Sequence, residues 1–257
     1  MIRDLCRFLS FHPRMMFINI KGIPTFFRTK REFKKLTKIH KNDFPIKKNF
    51  PCLYDIQDNA GTLSGDYFHQ DLLVAQAIYK ANPVKHVDIG SRTDGFVAHV
   101  ASYREIEIFD IRSVENKISN IKFVQLDFMS DNIQYQEYTD SISSLHAIEH
   151  FGLGRYGDPL DVNGHIKGLD NIYKMLKPGG IFYFSVPIGK QRIEFNAHRV
   201  FGIPYILDYI KDKYTLNSFS YVDDSGELHK EIEITPEVID KCGKLNFGCG
   251  IFTLQKK

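Results

Sequence analysis

The sequence predicts an α/β fold with a mostly parallel sheet, an antiparallel C-terminal strand and helices on both faces. Short runs rich in β-branched and aromatic residues alternate with longer helical patterns from residue 67 onward. This is the order that parallel strands with crossover helices require. A turn containing glycine at residues 90–95 separates the first strand from a helix, as it does in many nucleotide-binding folds, although an ordinary strand-to-helix turn looks the same.

Five predicted strands are short apolar runs bounded by turn residues or by helical patterns. They lie at residues 86–89, 107–110, 121–126, 141–145 and 181–187. The accompanying helices are predicted at residues 67–81, 95–103 and 163–176. The last helix is followed by Lys177-Pro178-Gly179-Gly180, and a cation, a proline and glycines are typical of a helix end.

The C-terminal segment is predicted to complete the sheet with antiparallel strands. A helix is expected at residues 199–209, and strands are expected at residues 216–222, 231–234 and 248–254. The residues Asp223-Asp224-Ser225-Gly226 are typical of a turn between two of these strands.

The first part of the chain is strongly basic. Residues 1–50 contain 13 Lys and Arg against 3 Asp and Glu, whereas the remainder contains 21 against 28. We therefore predict a basic arm at residues 1–60 and a separate domain at residues 61–257. A helix is expected at residues 24–39, with Pro24 in its first turn. Packing of this helix onto the domain, or a lid, is favoured over weak membrane-surface contact, because the apolar stripe is short.

Composition excludes several classes of protein. A net charge of +3 is too small to indicate nucleic-acid binding. The four cysteines form no C-x-x-C pair, so neither a zinc site nor a disulfide framework is indicated. No secretory signal and no run of about 20 apolar residues is found. These features favour a cytoplasmic protein, and its oligomeric state is left open.

Acidic residues follow the predicted strands at the positions that a nucleoside requires. Asp110 ends the second strand and can accept both hydroxyls of a ribose, and Asp127 with Phe128 follows the third strand and can contact an adenine. Together with Asp88-x-Gly90 and the Leu176-to-Gly180 turn, these residues resemble class I S-adenosylmethionine-dependent methyltransferases over residues 62–257. The wider pattern, with residues 67–71 and 195–199, is similar to a methyltransferase-like group found among bacterial capsule and lipopolysaccharide biosynthesis enzymes.

This resemblance implies a Rossmann-like sheet and S-adenosylmethionine as the cofactor. The implied cofactor-binding residues are Asp88, Gly90, Ser91, Arg92, Gly95, Asp110, Ile111, Asp127, Phe128 and His146. The family loop usually reads acidic-x-Gly-x-Gly-x-Gly, but here Arg92 and Asp94 hold the later glycine positions. Arg92 is therefore expected near the methionine carboxylate of the cofactor.

The segment after the fourth strand contains His146-x-x-Glu149-His150, which matches a zinc-protease pattern in its letters. That pattern needs a continuous helix to bring both histidines to one face, whereas a strand precedes it here and glycines follow it at once. No metal is predicted, and a site that combines these histidines with Asp158 or Asp161 is the alternative.

The expected activity is O-methylation of a sugar, sugar nucleotide or other phosphorylated small molecule in surface-polysaccharide biosynthesis. A hydroxyl acceptor needs a general base, for which His198 is the first candidate and His146 the second, with Glu149 orienting either ring. The predicted substrate-binding residues are Arg155, Tyr156, Lys190, Arg192 and Arg199. A solvated loop of mixed charge is the alternative interpretation of these residues.

Two other functions are compatible with the sequence. A nicotinamide-dependent oxidoreductase could use the same turn and Asp110, but the G-x-G-x-x-G spacing is missing. A non-catalytic nucleotide-binding protein with a methyltransferase fold is the other alternative, since the glycine loop departs from the family pattern.

Overall fold

An eight-stranded sheet organises the unit from Leu63 to Lys257 in the computed structural model, and a preceding unit ends at Thr62. The structure describes residues 13–40, 43–53, 55, 60–115, 117–130 and 133–257. The first twelve residues of the predicted basic arm, including Cys6, lie outside these ranges.

The strands of this sheet follow the predicted order closely. Their bounds are β1 His86–Ile89, β2 Ile106–Asp110, β3 Ile121–Gln125, β4 Thr139–Leu145, β5 Leu176–Ile188, β8 Tyr214–Val222, β9 Leu228–His229 and β10 Gly248–Lys256. A separate hairpin consists of β6 Arg192–Glu194 and β7 His198–Val200.

The spatial order of the sheet is β3-β2-β1-β4-β5-β10-β8-β9. Strands β1 to β5 are parallel, and β10 is antiparallel to both β5 and β8. The order reverses between β1 and β4, where Asp88 pairs with Ser143. Ligands of open α/β sheets bind outside the carboxyl ends of the strands at such a reversal. The topology alone therefore predicts a ligand site at the ends of β1, β2, β3 and β4.

Helices cover the two faces of the sheet and bury two hydrophobic clusters. One face carries α2 Asp66–Ala81 and a π-helical turn, Thr93–Val97, that continues into α3 Ala98–Ala101. The other face carries α4 Gly164–Met175, α5 Ile203–Ile210 and α6 Pro236–Gly243. Alternate residues of a strand point to opposite faces, and accordingly Ile108 packs in one cluster and Phe109 in the other. The predicted fold class is confirmed.

The predicted turn before the fifth strand has a different form. Helix α4 ends at Met175 and β5 begins at once with Leu176, which pairs with Thr139. The next pair joins Ile181 to Ser141, so residues 177–180 bulge out of the strand. Gly179 has a φ of +74°, a conformation that glycine adopts without steric cost, and this lets the bulge return to the same ladder.

Two C-terminal expectations were wrong. Arg199 lies in β7, opposite Ile193, and the helix expected at residues 199–209 begins only at Ile203, where Pro204 favours the first turn. Residues 231–234 form no strand: Glu231 has a φ of +52°, which interrupts an extended ladder.

The arm helix is longer than predicted. Helix α1 runs from Pro13 to Ile39 and contains Pro24 in its interior instead of its first turn. A proline removes one backbone hydrogen bond inside a helix, and the helical pattern of residues 13–23 continues across it. Within the described part of the chain, every helix is too short or too polar to cross a bilayer.

The centre of β10 provides a test of the packing. Phe252 is fully buried, with its ring 4.9 Å from that of Phe219 and 5.9 Å from that of Phe184. We expect Phe252→Ala to lower the free energy of unfolding by about 3–5 kcal/mol, because it leaves a cavity between the rings of Phe184 and Phe219. Urea denaturation followed by circular dichroism measures this loss. The exposed Val84 is the control, and Val84→Ala should change stability by less than about 0.5 kcal/mol. Similar losses in both variants would contradict the described core.

Candidate active site

A cavity of about 450 Å³ lies where β1, β2, β3 and β4 end, within the size range of small-molecule sites. It brings together eleven of the sequence-predicted site residues. These are Gly90, Arg92, Asp110, Ile111, Asp127, Phe128, His146, Glu149, Arg155, Tyr156 and His198. The remaining six do not line it, namely Asp88, Ser91, Gly95, Lys190, Arg192 and Arg199.

Asp88 and Ser91 shape the glycine turn from below the cavity. The Asp88 carboxylate is fully buried and accepts hydrogen bonds from the hydroxyls of Ser91 at 2.6 Å and Ser143 at 2.5 Å, and from the backbone N–H of Ser91 at 3.0 Å. Burial raises the pKa of Asp88 to about 6, although these hydrogen bonds oppose the shift. The hydroxyl of Ser91 also accepts the N–H of Leu145, so the turn is fixed to β4.

The two glycines of the turn have different roles. Gly90 lines the cavity with a φ of +70°, and its N–H donates to the carbonyl of Phe109. Gly95 lies against α2 instead, since a Cβ there would stand 2.5 Å from a carboxylate oxygen of Asp71. Gly95 therefore permits close packing of the helix beneath the turn and makes no wall of the cavity.

Asp110 is held by a residue that the sequence analysis did not single out. Arg112 donates to both carboxylate oxygens of Asp110, at 2.9 Å through Nε and 2.6 Å through Nη2, and its guanidinium lies 4.4 Å from the ring of Tyr156. An ionised carboxylate has about four acceptor sites, and Arg112 with its backbone N–H uses three of them. The position of Arg112, two residues after a strand-ending acid, is the signal that could have identified it.

The end of β3 supplies an acidic and an aromatic wall. Asp127 Oδ1 accepts the backbone N–H of Met129 at 2.9 Å, which fixes the carboxylate at the cavity. Phe128 is buried and packs edge-on against Phe109. Together they offer a flat apolar surface beside a hydrogen-bond acceptor.

Two histidines flank the buried carboxylate of Glu149. His146 Nδ1 lies 3.2 Å and His150 Nε2 lies 3.7 Å from Glu149 Oε1. His146 has a φ of +49°, and only a short 3₁₀ turn, Ile148–His150, follows it. The histidines are thus not carried on one face of a continuous helix, as the protease pattern requires.

The two carboxylates of the alternative metal site, Asp158 and Asp161, have other partners. Asp158 accepts backbone N–H groups of Gly152, Gly154 and Tyr156, and Asp161 pairs with Lys167 at 2.6 Å. Among the residues that the structure describes, no group of three or more His, Cys, Asp or Glu is arranged to hold a metal ion.

Burial and neighbouring charges shift the pKa values of His146 and His198 in opposite directions. Burial opposes the charge on His146, but Cys249 and the carboxylate of Glu149 outweigh it and raise the pKa of His146 well above its ordinary value. Glu149 is fully buried as well, yet His146 lowers its pKa. His198 is different: burial lowers its pKa, against the opposing effect of Glu194. Burial also lowers the pKa of His150, so near neutral pH the cavity combines an imidazolium at His146 with neutral rings at His150 and His198.

Several buried polar atoms of the described cavity-lining residues form no hydrogen bond, although His198 Nε2 lies 3.4 Å from Glu194 Oε2. Within the described ranges, five buried side-chain nitrogen or oxygen atoms form no hydrogen bond, and three of them belong to cavity-lining residues. These three are His146 Nε2, Glu149 Oε2 and His198 Nε2. Unsatisfied buried polar groups are costly, so their concentration at one cavity indicates that a polar ligand belongs there.

The four predicted substrate-binding cations, Arg155, Lys190, Arg192 and Arg199, are here called the predicted rim, and only Arg155 lines the cavity. Arg155 lines the cavity, where it donates to the carbonyl of Ala197. Arg199 is buried and donates to the carbonyl oxygens of Glu149, Phe151 and Val162, so it braces the loop after β4.

The other two cations of the predicted rim lie in and beside the β6–β7 hairpin. Arg192 binds Glu194 and the carbonyl of Asn246, and Lys190 is exposed. Two aromatic residues also belong to the wall: Tyr67, which lies in the resemblance pattern at residues 67–71, and Phe247, which sequence reasoning missed. The ring of Phe247 lies 4.8 Å from that of His198. Phe247 does not follow a predicted strand end, so no local pattern marks it.

Solved structures with the same fold share little sequence with this chain. The Burkholderia thailandensis 1,6-didemethyltoxoflavin-N1-methyltransferase, solved with 1,6-didemethyltoxoflavin and S-adenosylhomocysteine, is 17% identical with a TM-score of 0.50, over 73% of this chain and 78% of that one. The [4+2]-cyclase SpnF is 14% identical with a TM-score of 0.50, over 72% and 80%. The N-methyltransferase NodS from Bradyrhizobium japonicum WM9, in complex with S-adenosylhomocysteine, is 13% identical with a TM-score of 0.49, over 79% and 91%. The first two similarities show that the chain has the fold of class I methyltransferases.

The sequence comparisons give a family without an assigned activity. No curated protein matches the chain. A family model described as "Caenorhabditis protein of unknown function, DUF268" matches residues 89–256. This match extends from the end of β1 to the end of β10 and covers more than half of the sequence. The chain therefore belongs to the DUF268 family.

Proposed function

We propose that this protein binds S-adenosylmethionine and transfers its methyl group to a small-molecule acceptor. The observation that carries the proposal is the cavity at the reversal of strand order, where Gly90, Asp110, Asp127 and Phe128 line one site. Two proteins of the same fold were solved with S-adenosylhomocysteine, which supports the same class of cofactor here.

The residues present fit this cofactor. Asp110 and Asp127 supply carboxylates for a ribose and an adenine amino group, and Phe128 and Ile111 supply apolar contacts for the base. Gly90 presents backbone without a Cβ to the middle of the ligand. Arg112 occupies three of the about four acceptor sites of Asp110, which leaves one site for a ribose hydroxyl, so this arginine belongs to the ribose end of the proposed site.

When bound, S-adenosylmethionine supplies a methyl group that its sulfonium already activates. The protein then has to align the acceptor with that methyl and exclude water. The loop after β4 and the hairpin β6–β7 contribute the polar wall at which an acceptor would be aligned, through His146, Glu149, Arg155 and His198.

The charge states favour His198 over His146 as the general base. A base has to be unprotonated, and burial lowers the pKa of His198, so that its ring is neutral near pH 7. The carboxylate of Glu149 raises the pKa of His146 and favours the imidazolium, which can only donate. Its Nδ1 faces Glu149, and its buried Nε2 forms no hydrogen bond within the described residues. Glu149 thus acts as the positioning residue of His146.

A hydroxyl acceptor that carries an anionic group suits the same wall. The His146 imidazolium and the Arg155 guanidinium both line the cavity, and arginine binds phosphate through paired hydrogen bonds. O-methylation of a phosphorylated or nucleotide-linked acceptor is therefore the finer form of the proposal. A place in surface-polysaccharide biosynthesis stays a prediction from the sequence resemblance.

Cofactor binding can be measured without knowing the acceptor. We expect calorimetry to show micromolar or tighter binding of S-adenosylmethionine and S-adenosylhomocysteine. Asp110→Ala should weaken binding by about 10- to 100-fold, because the charge-assisted hydrogen bond to the ribose is lost and Arg112 is left without its carboxylate partner. The matched control is Glu105→Ala at the other end of β2, where the carboxylate is exposed and pairs with Lys122. This control should leave the affinity unchanged. No heat with S-adenosylmethionine, together with clear binding of a nicotinamide dinucleotide, would refute the proposal.

The assignment of the base predicts a pH profile. Since the neutral form of His198 accepts the proton and its pKa is lowered from 6.5, kcat/KM should fall only as the pH drops below about 6.5. His198→Gln should reduce transfer of labelled methyl groups to a phosphorylated-sugar acceptor by about 100- to 10,000-fold and abolish this acid limb.

A second buried histidine provides the control for this test. His165 lies away from the cavity and contacts the hydroxyl of Tyr205, so His165→Gln should keep the acid limb of the profile. Cofactor affinity is measured in both variants by calorimetry. Turnover of His198→Gln within about threefold of the parent would exclude this base, whereas a loss of cofactor affinity would place His198 in the cofactor site.

A further inference from the structure

One face of helix α1 carries an uninterrupted series of exposed residues. Successive members are three or four positions apart, which keeps them on the same side of a helix. From the start of the helix, the series is Met16, Ile20, Ile23, Phe27, Arg31, Lys34 and Lys38, here called the α1 stripe. Its first four members are apolar and its last three are cationic.

The apolar part of the stripe is unusually exposed. The relative exposures are 51% for Met16, 55% for Ile20, 42% for Ile23 and 61% for Phe27. Single exposed apolar residues are common on protein surfaces, but a contiguous set marks a contact with a partner or a membrane. This part spans three turns of helix, and Phe17 adds a fifth exposed apolar side chain at its edge.

The charge of α1 restricts the kind of partner. The helix contains eight Lys and Arg and a single acidic residue, Glu32. A surface complementary to the whole stripe has to offer an apolar layer next to a dense layer of negative charge. The boundary of an anionic phospholipid bilayer has both layers within about 5–10 Å of each other, and long basic side chains reach the headgroups while their stems stay in apolar surroundings.

We propose that the α1 stripe binds the surface of anionic phospholipid membranes, with α1 lying in the plane of the interface. The apolar residues enter the acyl boundary, and the cations contact lipid phosphates. The sequence favoured packing or a lid over membrane contact because the predicted apolar stripe was short, and the longer α1 of the structure removes that reason. Because the helix begins at Pro13, Met16 and Ile20 share one face with Phe27, and the apolar stripe is no longer short. This proposal is independent of methyl transfer.

Vesicle co-sedimentation of the full chain tests the proposal. We expect binding to phosphatidylcholine vesicles that contain about 30 mol% phosphatidylglycerol, and about tenfold weaker binding to phosphatidylcholine alone. Raising the salt from about 0.1 M to about 0.5 M should weaken binding to the anionic vesicles, since the Debye length shortens. Ile23→Glu with Phe27→Glu should weaken it at least about tenfold, because both apolar contacts are lost.

Two double charge reversals test whether binding depends on the α1 stripe or only on the net charge of the helix. Arg31→Glu with Lys34→Glu should weaken binding about tenfold. Arg28→Glu with Lys35→Glu makes the same change of charge on exposed residues that lie roughly 80–100° around the helix, and should stay within about threefold of the parent. Circular dichroism checks the helix, and Ile23→Leu with Phe27→Leu should retain binding.

Three results would overturn the proposal. The first is binding to neutral and anionic vesicles alike, or to neither. The second is an equal loss in the two charge-reversal pairs, which would leave only a diffuse attraction. The third is a dimer in sedimentation velocity without vesicles that Ile23→Glu with Phe27→Glu dissociates, because the stripe would then bind a second copy of the chain. Calorimetry with S-adenosylmethionine distinguishes failure here from failure of the proposed function.

Discussion

A buried carboxylate at the reversal of strand order is the constraint on which the rest of the site depends. Asp88 lies in β1 opposite Ser143 of β4, and its carboxylate accepts hydrogen bonds from Ser91 and Ser143. A buried charge is unfavourable unless hydrogen bonds satisfy it. The glycine turn therefore has to adopt the one shape that brings Ser91 back to Asp88. That shape places Gly90 at the cavity and ties the turn to β4 through Leu145.

The same carboxylate orders a chain of side chains beneath the cavity. The hydroxyl of Ser143 donates to Asp88, so it can only accept from His86 Nε2, 3.1 Å away. His86 is then the tautomer with hydrogen on Nε2, and its Nδ1 accepts from the hydroxyl of Ser141. Burial lowers the pKa of His86 to about 3, which keeps this ring neutral. Each donor in the chain points toward Asp88, and such chains polarise one another.

The sequence predicted what local patterns encode and missed what distant residues decide. Strand ends such as Asp110 and Asp127 were predicted because apolar periodicity locates each strand, and the carboxyl ends of parallel strands share an edge. The role of Arg199 could not be predicted, because the carbonyl groups that it binds come from residues 37 to 50 positions away in the chain. The length of α1 was missed for another reason: Pro24 is a reliable signal for a first turn but also occurs inside helices.

In the proposed acceptor wall His146 is charged and His198 is neutral, and no single sequence motif contains both residues. Glu149 accepts from His146 and holds it as a donor, whereas His198 belongs to a different element and packs against Phe247, where burial keeps it neutral. Titratable groups whose environments separate their pKa values are suited to acid and base roles in one reaction. A hydroxyl placed between them would accept a hydrogen bond from His146 and give its proton to His198. The long stretch of chain between the two histidines explains why this pairing needs the folded sheet, with β5 and the β6–β7 hairpin bringing His198 back to the end of β4.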